Sequence, residues 1–318
     1  MATGPTLRPR APWHPWLMLA PTLAGLGLFA VAPLAVAAYS SLLRWDMLTP
    51  PAWVGLANYR ALARSGEAWR AFGTTLLFSS LVVVLTTGLG LGLALLLSRP
   101  GRFAAFARAA VFSAYVVSWV SVALLWMWLL DPDAGLVARA FAALGLPRVG
   151  FLTDPGAALP TLAAVTAWKI TGYAMVVFVV GLQDVPRALL EAAALDGAGP
   201  WARFRFVVWP LLRPTTAFVA TSSLVVSFQA FDVVRVMTQG GPAHATTLFV
   251  YAIYEQIFLN LRVGRASALT VLFFVALFAL SLLQFWALAA RARGAGRKAT
   301  PPRPPAEAAP PPAREAAP

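Results

Sequence analysis

The sequence predicts an all-α, polytopic membrane protein with six transmembrane helices. Three observations carry this. Hydrophobic residues make up 59% of the 318 and charged residues 12%, against about half and about a quarter in a soluble globular chain. Six stretches stay apolar for the roughly 20 residues that a helix needs to cross a bilayer. The arginines flank these stretches rather than interrupt them, as retention of basic residues on one side of a membrane requires.

Segment 1–15 is expected to be a short cytoplasmic N-terminus, and 16–290 the six-helix domain. The first span covers about 16–43. It is too long for the apolar core of a signal peptide. Pro21 and Pro33 lie inside it and should kink it, because each removes a backbone donor. The second span, 72–97, carries Gly88, Gly90 and Gly92. No Gly-Lys-Ser/Thr follows them, so they read as close helix packing rather than a phosphate loop. Spans at 109–130, 157–182, 215–234 and 266–290 complete the set. The stretch from Tyr251 to Gln256 is amphipathic and is expected to lie at the membrane surface. The tail 291–318 begins basic and turns almost wholly to Pro and Ala from Ala299. It is expected to be disordered, since it holds too little apolar surface to offset ordering entropy.

Orientation follows from the basic flanks. With the N-terminus inside, fifteen Lys and Arg fall on the cytoplasmic side and nine on the other. The bias puts both termini in the cytoplasm. It also puts there the polar loop 183–214. Within it Pro186 suits the start of a helix, and 187–195 are mostly helix formers. Asp196-Gly197 ends that helix, because glycine accepts a left-handed backbone. Pro200 can open a second short helix. Ala192, Ala193, Gly197 and Ala198 permit close approach of another backbone. Glu191 and Asp196 can meet basic groups, and Leu189, Leu190 and Leu195 offer apolar contact. Such a knob suits docking to a soluble partner; an ordinary solvated loop is the plainer alternative.

Glu191-Ala192-Ala193, then three residues and Gly197, then nine residues and Val207-Val208-Trp209-Pro210, resembles the cytoplasmic "EAA" loop of importer permeases of the ATP-binding-cassette (ABC) superfamily. Val207 and Trp209 stand where that loop has Ile and Leu. Trp53-Val54-Gly55-Leu56-Ala57-Asn58-Tyr59, Phe151-Leu152-Thr153-Asp154-Pro155, Ser227 to Asp232 and Gly240-Gly241-Pro242 are similar, in that order, to segments of maltose- and glycerol-3-phosphate-type permeases. The resemblance implies a permease subunit of an ATP-driven importer for a sugar or a related polyol or sugar phosphate, in a bacterial-type plasma (inner) membrane. Its implied partners are a second permease in a heterodimer, two ATPase subunits and an extracytoplasmic solute-binding protein. The implied coupling contacts are Glu191, Ala192, Ala193, Asp196, Gly197, Ala198 and Pro210. Alternating access would follow from ATP closing the ATPase dimer against the docked hairpins.

Lys169 lies well inside the fourth span, where a charge must face protein or water rather than lipid. Three readings stay open: it lines the solute pathway with Tyr173, Ser227, Gln229 and Asp232; it pairs structurally with Asp232 or a partner subunit; or it snorkels. For Ser227 and Gln229 the plainer alternative is hydrogen bonding between helices.

Other functions fit poorly. The net charge of +13 is accounted for by membrane flanks, and no aromatic-basic stripe suggests nucleic acid. There is no cysteine, and His14 and His244 are far apart, so no metal site is expected. No P-loop and no nucleophile–base constellation is present, so neither a bound cofactor nor catalysis by this chain is expected. An ion-coupled secondary transporter of a small polar solute is the main alternative. It would need acidic residues in mid-membrane and often shows an internal repeat; neither is evident.

Overall fold

The computed structural model describes residues 14–147 and 149–296. Most of the N-terminal segment and the Pro/Ala-rich tail therefore lie outside the described residues. Residues up to Ala276 form one compact unit and the chain from Leu277 a second; the packing below belongs to the first.

Among the described residues five helices are long and apolar enough to cross a bilayer, and a bent pair, taken as one span, brings the number to six. Span 1 runs Trp16–Ser40, span 2 Glu67–Leu97, span 4 Pro155–Gln183 and span 5 Pro200–Phe228; the sixth helix is Val263–Gly296. Two expectations are corrected. Span 3 is not one straight helix over 109–130 but Arg102–Val116 followed by Trp119–Leu129, turned through 102°. Span 5 begins at Pro200, not near 215, and ends at Phe228 rather than 234. The second helix of the polar loop, Pro200–Arg203, is continuous through the π turn Phe204–Val208 with the helix Trp209–Phe228.

Two of the prolines, Pro33 and Pro210, follow a local widening of the helix, whereas Pro21, Pro160 and Pro214 lie inside regular α-helix. One residue before Pro33, the Ala32 N–H bonds to the Gly27 carbonyl, five residues back. One residue before Pro210, the Trp209 N–H bonds to Phe204 in the same way. A widened π turn makes room for a ring that would clash with the carbonyl four residues earlier.

Span 4 is the hub. Over an apolar stretch of 18 residues 67% of its residues are buried, against 28% or less in the other unbent spans. Small residues allow this. A Cβ on Gly172 would lie 2.6 Å from the Val111 carbonyl of span 3, one on Gly90 2.7 Å from Ala174 Cβ, and one on Gly181 2.7 Å from Thr215 of span 5. Of the three span-2 glycines singled out for packing, Gly90 alone does this; Gly88 and Gly92 face open space.

Span 1 is tethered differently. None of its own 18-residue apolar stretch is buried. At its exit Leu43–Arg44 pairs with Ala52–Trp53 as a small antiparallel hairpin, a β element that the sequence did not suggest. Asn58 Nδ2 donates to the Ser41 and Leu43 carbonyls, both at 2.8 Å, and the Tyr59 hydroxyl donates to Ser41 Oγ at 2.8 Å. Gly264, opening the sixth helix, is so close that a Cβ would sit 1.9 Å from the Leu43 carbonyl. The Gly-Leu-Ala-Asn-Tyr segment is therefore a clasp. Phe249–Tyr254 and the π turn Glu255–Leu259 form the short apolar helix where a surface helix was expected, with Tyr251 and Gln256 buried.

Candidate functional site

Two places gather the candidate residues. The first is the connection from span 4 to span 5. Val185 is buried and anchors its start; Pro186 is extended, and Arg187–Leu195 is helical. The Ala198 N–H bonds to the Ala193 carbonyl at 2.9 Å and the Gly197 N–H to Ala194 at 3.1 Å. With Gly197 at φ +80°, this is a Schellman close, which satisfies carbonyls that a helix end leaves free. Glu191, Ala192, Asp196 and Gly197 are exposed, while Ala193 and Ala198 are half-buried. Leu195 is 90% and Trp201 73% exposed. Glu191 and Asp196 have no ion-pair partner among the described residues. Pro210 is half-buried past the π turn of span 5, on the same helix that Pro200 opens.

The second place is where spans 3 and 5 break. Val117 (φ −63°, ψ 145°) and Ser118 (φ −55°, ψ 141°) are both extended. A helix end in apolar surroundings leaves carbonyls that neither water nor lipid can satisfy. Lys169 of span 4 meets them. Its Nζ donates to Ala114 O at 3.2 Å, to Tyr115 O at 3.1 Å and to Val117 O. It also lies 4.8 Å from the centre of the Trp119 ring. An ammonium has three donors, and all three are used. The position also suits a cation, since the C-terminal end of a helix carries partial negative charge. No Lys169–Asp232 ion pair forms among the described residues.

Tyr173, one turn further along span 4, stacks on Tyr115 with centroids 5.3 Å apart. Span 5 stops at Phe228, and the chain re-enters a short helix at Asp232–Met237 that packs with Val122 and Ala123 of span 3. Between the breaks lies a cavity of about 210 Å³, whose lining includes Trp119, Val226, Gln229, Phe231 and Asp232. The structure thus brings Gln229 and Asp232 together and puts Lys169 behind their indole neighbour. Ser227 is fully buried, its Oγ donating to the Leu224 carbonyl at 2.8 Å; neither it nor Tyr173 lines the cavity. Trp119 and Tyr115 were not singled out from the sequence. The break that brings them in contains neither Gly nor Pro, and Lys169 was its one trace.

A larger cavity of about 460 Å³ lies elsewhere, lined by Glu67, Arg70, His244, Glu255 and Gln256 among others. Gln256 Nε2 donates to Glu67 at 2.5 Å across its wall.

Residues 85–295 match the family described as binding-protein-dependent transport system inner membrane component. The sn-glycerol-3-phosphate transport system permease protein UgpA of Agrobacterium fabrum is 34% identical over 277 residues, covering 85% of this chain and 93% of that one. A probable ABC transporter permease protein of Pyrococcus horikoshii is 32% identical over 284 residues, covering 87% and 97%. Among solved structures, a bacterial ABC transporter involved in the import of the acidic polysaccharide alginate superposes with a TM-score of 0.73 at 25% identity, covering 88% of this chain and 96% of the other. A bacterial alginate ABC transporter in complex with an alginate pentasaccharide-bound periplasmic protein has the same fold, with a TM-score of 0.73, 23% identity, and coverage of 86% and 92%. With two-thirds of its length inside the family match and relatives aligned almost end to end, the chain belongs to the inner-membrane components of binding-protein-dependent transport systems: it is a transport permease and not an enzyme.

Proposed function

We propose that this chain is a permease subunit of an ATP-driven importer, moving a sugar or a polyol or sugar phosphate inward with its termini in the cytoplasm. It works with a second permease, two ATPase subunits and a solute-binding protein. The observation that carries the reading is the connection between spans 4 and 5. A helix closed by a left-handed glycine presents Leu195 and Trp201 largely exposed, beside the carboxylates of Glu191 and Asp196, which have no ion-pair partner among the described residues. A loop meant only to join two spans has no need of exposed large apolar side chains at its tip; burial in a partner's groove gives them a use. Rigid attachment follows from Pro200, which opens span 5 directly, so that motion of the hairpin is passed to a helix bordering the broken-span cavity.

Gly197 tests the reading. A Cβ there meets nothing within 4 Å among the described residues, so damage to folding is that of a left-handed backbone, about 1–2 kcal/mol. Gly197→Asp is expected to leave the spans inserted but to abolish ATPase copurification or to uncouple hydrolysis from uptake. Glu191→Lys should act in the same direction more weakly, since an exposed pair contributes about 0–1 kcal/mol. Normal copurification and coupled uptake in Gly197→Asp would make the hairpin an ordinary loop.

A further inference from the structure

We propose that Lys169 is a positioning residue that holds span 3 broken and thereby fixes the Trp119 indole as a wall of the cavity next to Gln229 and Asp232. The inference rests on the permease reading for its use, though not for its geometry.

The geometry is over-determined at one atom. Lys169 is 1% exposed, on the most buried of the unbent spans. A lone ammonium there is expensive in a membrane, and the break at Val117-Ser118 is expensive too, because it strips carbonyls of their helical partners. Each compensates the other: three N–H groups, three carbonyls. No donor remains for a solute. The indole of Trp119, the first residue of the second half-helix, lies beside the ammonium with its ring centre 4.8 Å from Nζ. A cation over an indole face is attractive, the more so when desolvated, so the same charge that caps one half-helix orients the first side chain of the other. The opposite requirement comes from span 4 itself. Gly172, one turn from Lys169, allows backbone contact with Val111 and Phe112, and Tyr173 stacks on Tyr115, so the first half-helix is held against the same stretch of span 4 that delivers the ammonium. Span 4 and the break are therefore tied together at three points. Gln229 and Asp232 meet solute directly in this arrangement; Lys169 acts through Trp119.

The absence of cysteine makes the test clean. The full complex carries spin labels on F106C and W128C, at two exposed positions on the two halves of span 3, with the other subunits free of reactive thiols. At about 1.5 Å per residue a pair separated by the observed 102° turn is about 21 Å apart between Cα atoms, and about 33 Å apart in a straight helix. Trp119 emission is read as the difference between each complex and its W119F counterpart. K169M is expected to shift or spread the distances toward the longer value and to shift the Trp119 emission; K169R, which keeps charge and donors, is expected to restore both. Wild-type distances and emission in K169M overturn the proposal. If K169M does not assemble, K169Q carries the test: its amide keeps donors without the charge, and unchanged distances and emission there overturn the proposal equally. ATP-driven uptake of maltose and of glycerol 3-phosphate is followed in parallel. An altered KM in K169M with unchanged distances makes Lys169 a solute ligand and also overturns the proposal. Failure of the wild-type complex to take up either solute counts against the import reading alone and leaves the distance and emission results to decide the positioning role.

Discussion

One ammonium joins the two halves of span 3: Lys169 donates to the Ala114, Tyr115 and Val117 carbonyls and lies against the Trp119 ring. A lysine between Trp168 and Ile170 in an apolar run announces that something buried needs it, but its acceptors are backbone carbonyls, and carbonyls carry no sequence signature. The acidic partner that the sequence offered, Asp232, shares a cavity with Trp119 rather than a bond with Lys169. Glycines were similarly half legible: composition marks a helix as closely packed, but which of Gly88, Gly90 and Gly92 touches a neighbour depends on rotation about the helix axis. That distinction is measurable. Gly172→Ala puts a methyl 2.6 Å from a backbone oxygen, which no rotamer can avoid, and is expected to destabilise the chain by about 1–3 kcal/mol. Gly92→Ala meets open space and gains helix propensity of up to about 1 kcal/mol. Thermal unfolding of the two variants in detergent should separate them, the first melting lower than wild type and the second no lower.

Among the elements, the hairpin helix was the most readable, because its ends are written in local chemistry: Pro186 before it, Gly197 after it, and bonds closing within six residues. The breaks in spans 3 and 5 were the least readable. Val117-Ser118 and Gln229 to Phe231 are ordinary residues; at the first break Lys169 of span 4 receives the freed carbonyls, and at the second the chain turns on its own backbone bonds, Gln229 N–H to Val225 O and Ala230 N–H to Ser227 O. Pro200 is readable only in part: it does open a helix, but that helix continues through the π turn Phe204–Val208 into span 5. One consequence concerns Leu195. If its exposed side chain fills a pocket on the ATPase, Leu195→Asp should cost about 2 kcal/mol or more of binding, roughly a 30-fold loss of affinity, with insertion of the spans unaffected. ATPase titration of the reconstituted permease pair measures this, and unchanged affinity would move the contact away from the helix tip.

Over the whole chain, the six apolar stretches and their order were evident from composition, and the importer family from the sequence of short motifs. What packs on what was not, since every span is apolar enough to face either lipid or protein. The topology remains directly testable. Reporter fusions at Arg64, Gly101, Arg148, Pro200, Ala243 and Ala299 should alternate outside and inside in that order; signals from one side at both Gly101 and Arg148 would mean that the bent span 3 turns back without crossing. The clasp around Asn58 has a bearing on how such a protein is made. Its three parts come from the exit of the first span, the helix just after it and Gly264 at the head of the last. A ribosome delivers the first two early and the third near the end, so the joint that fixes the first span to the rest stays open through most of synthesis. A chain released before Gly264 emerges carries a loose leading helix, and the near-complete product is the earliest one able to close.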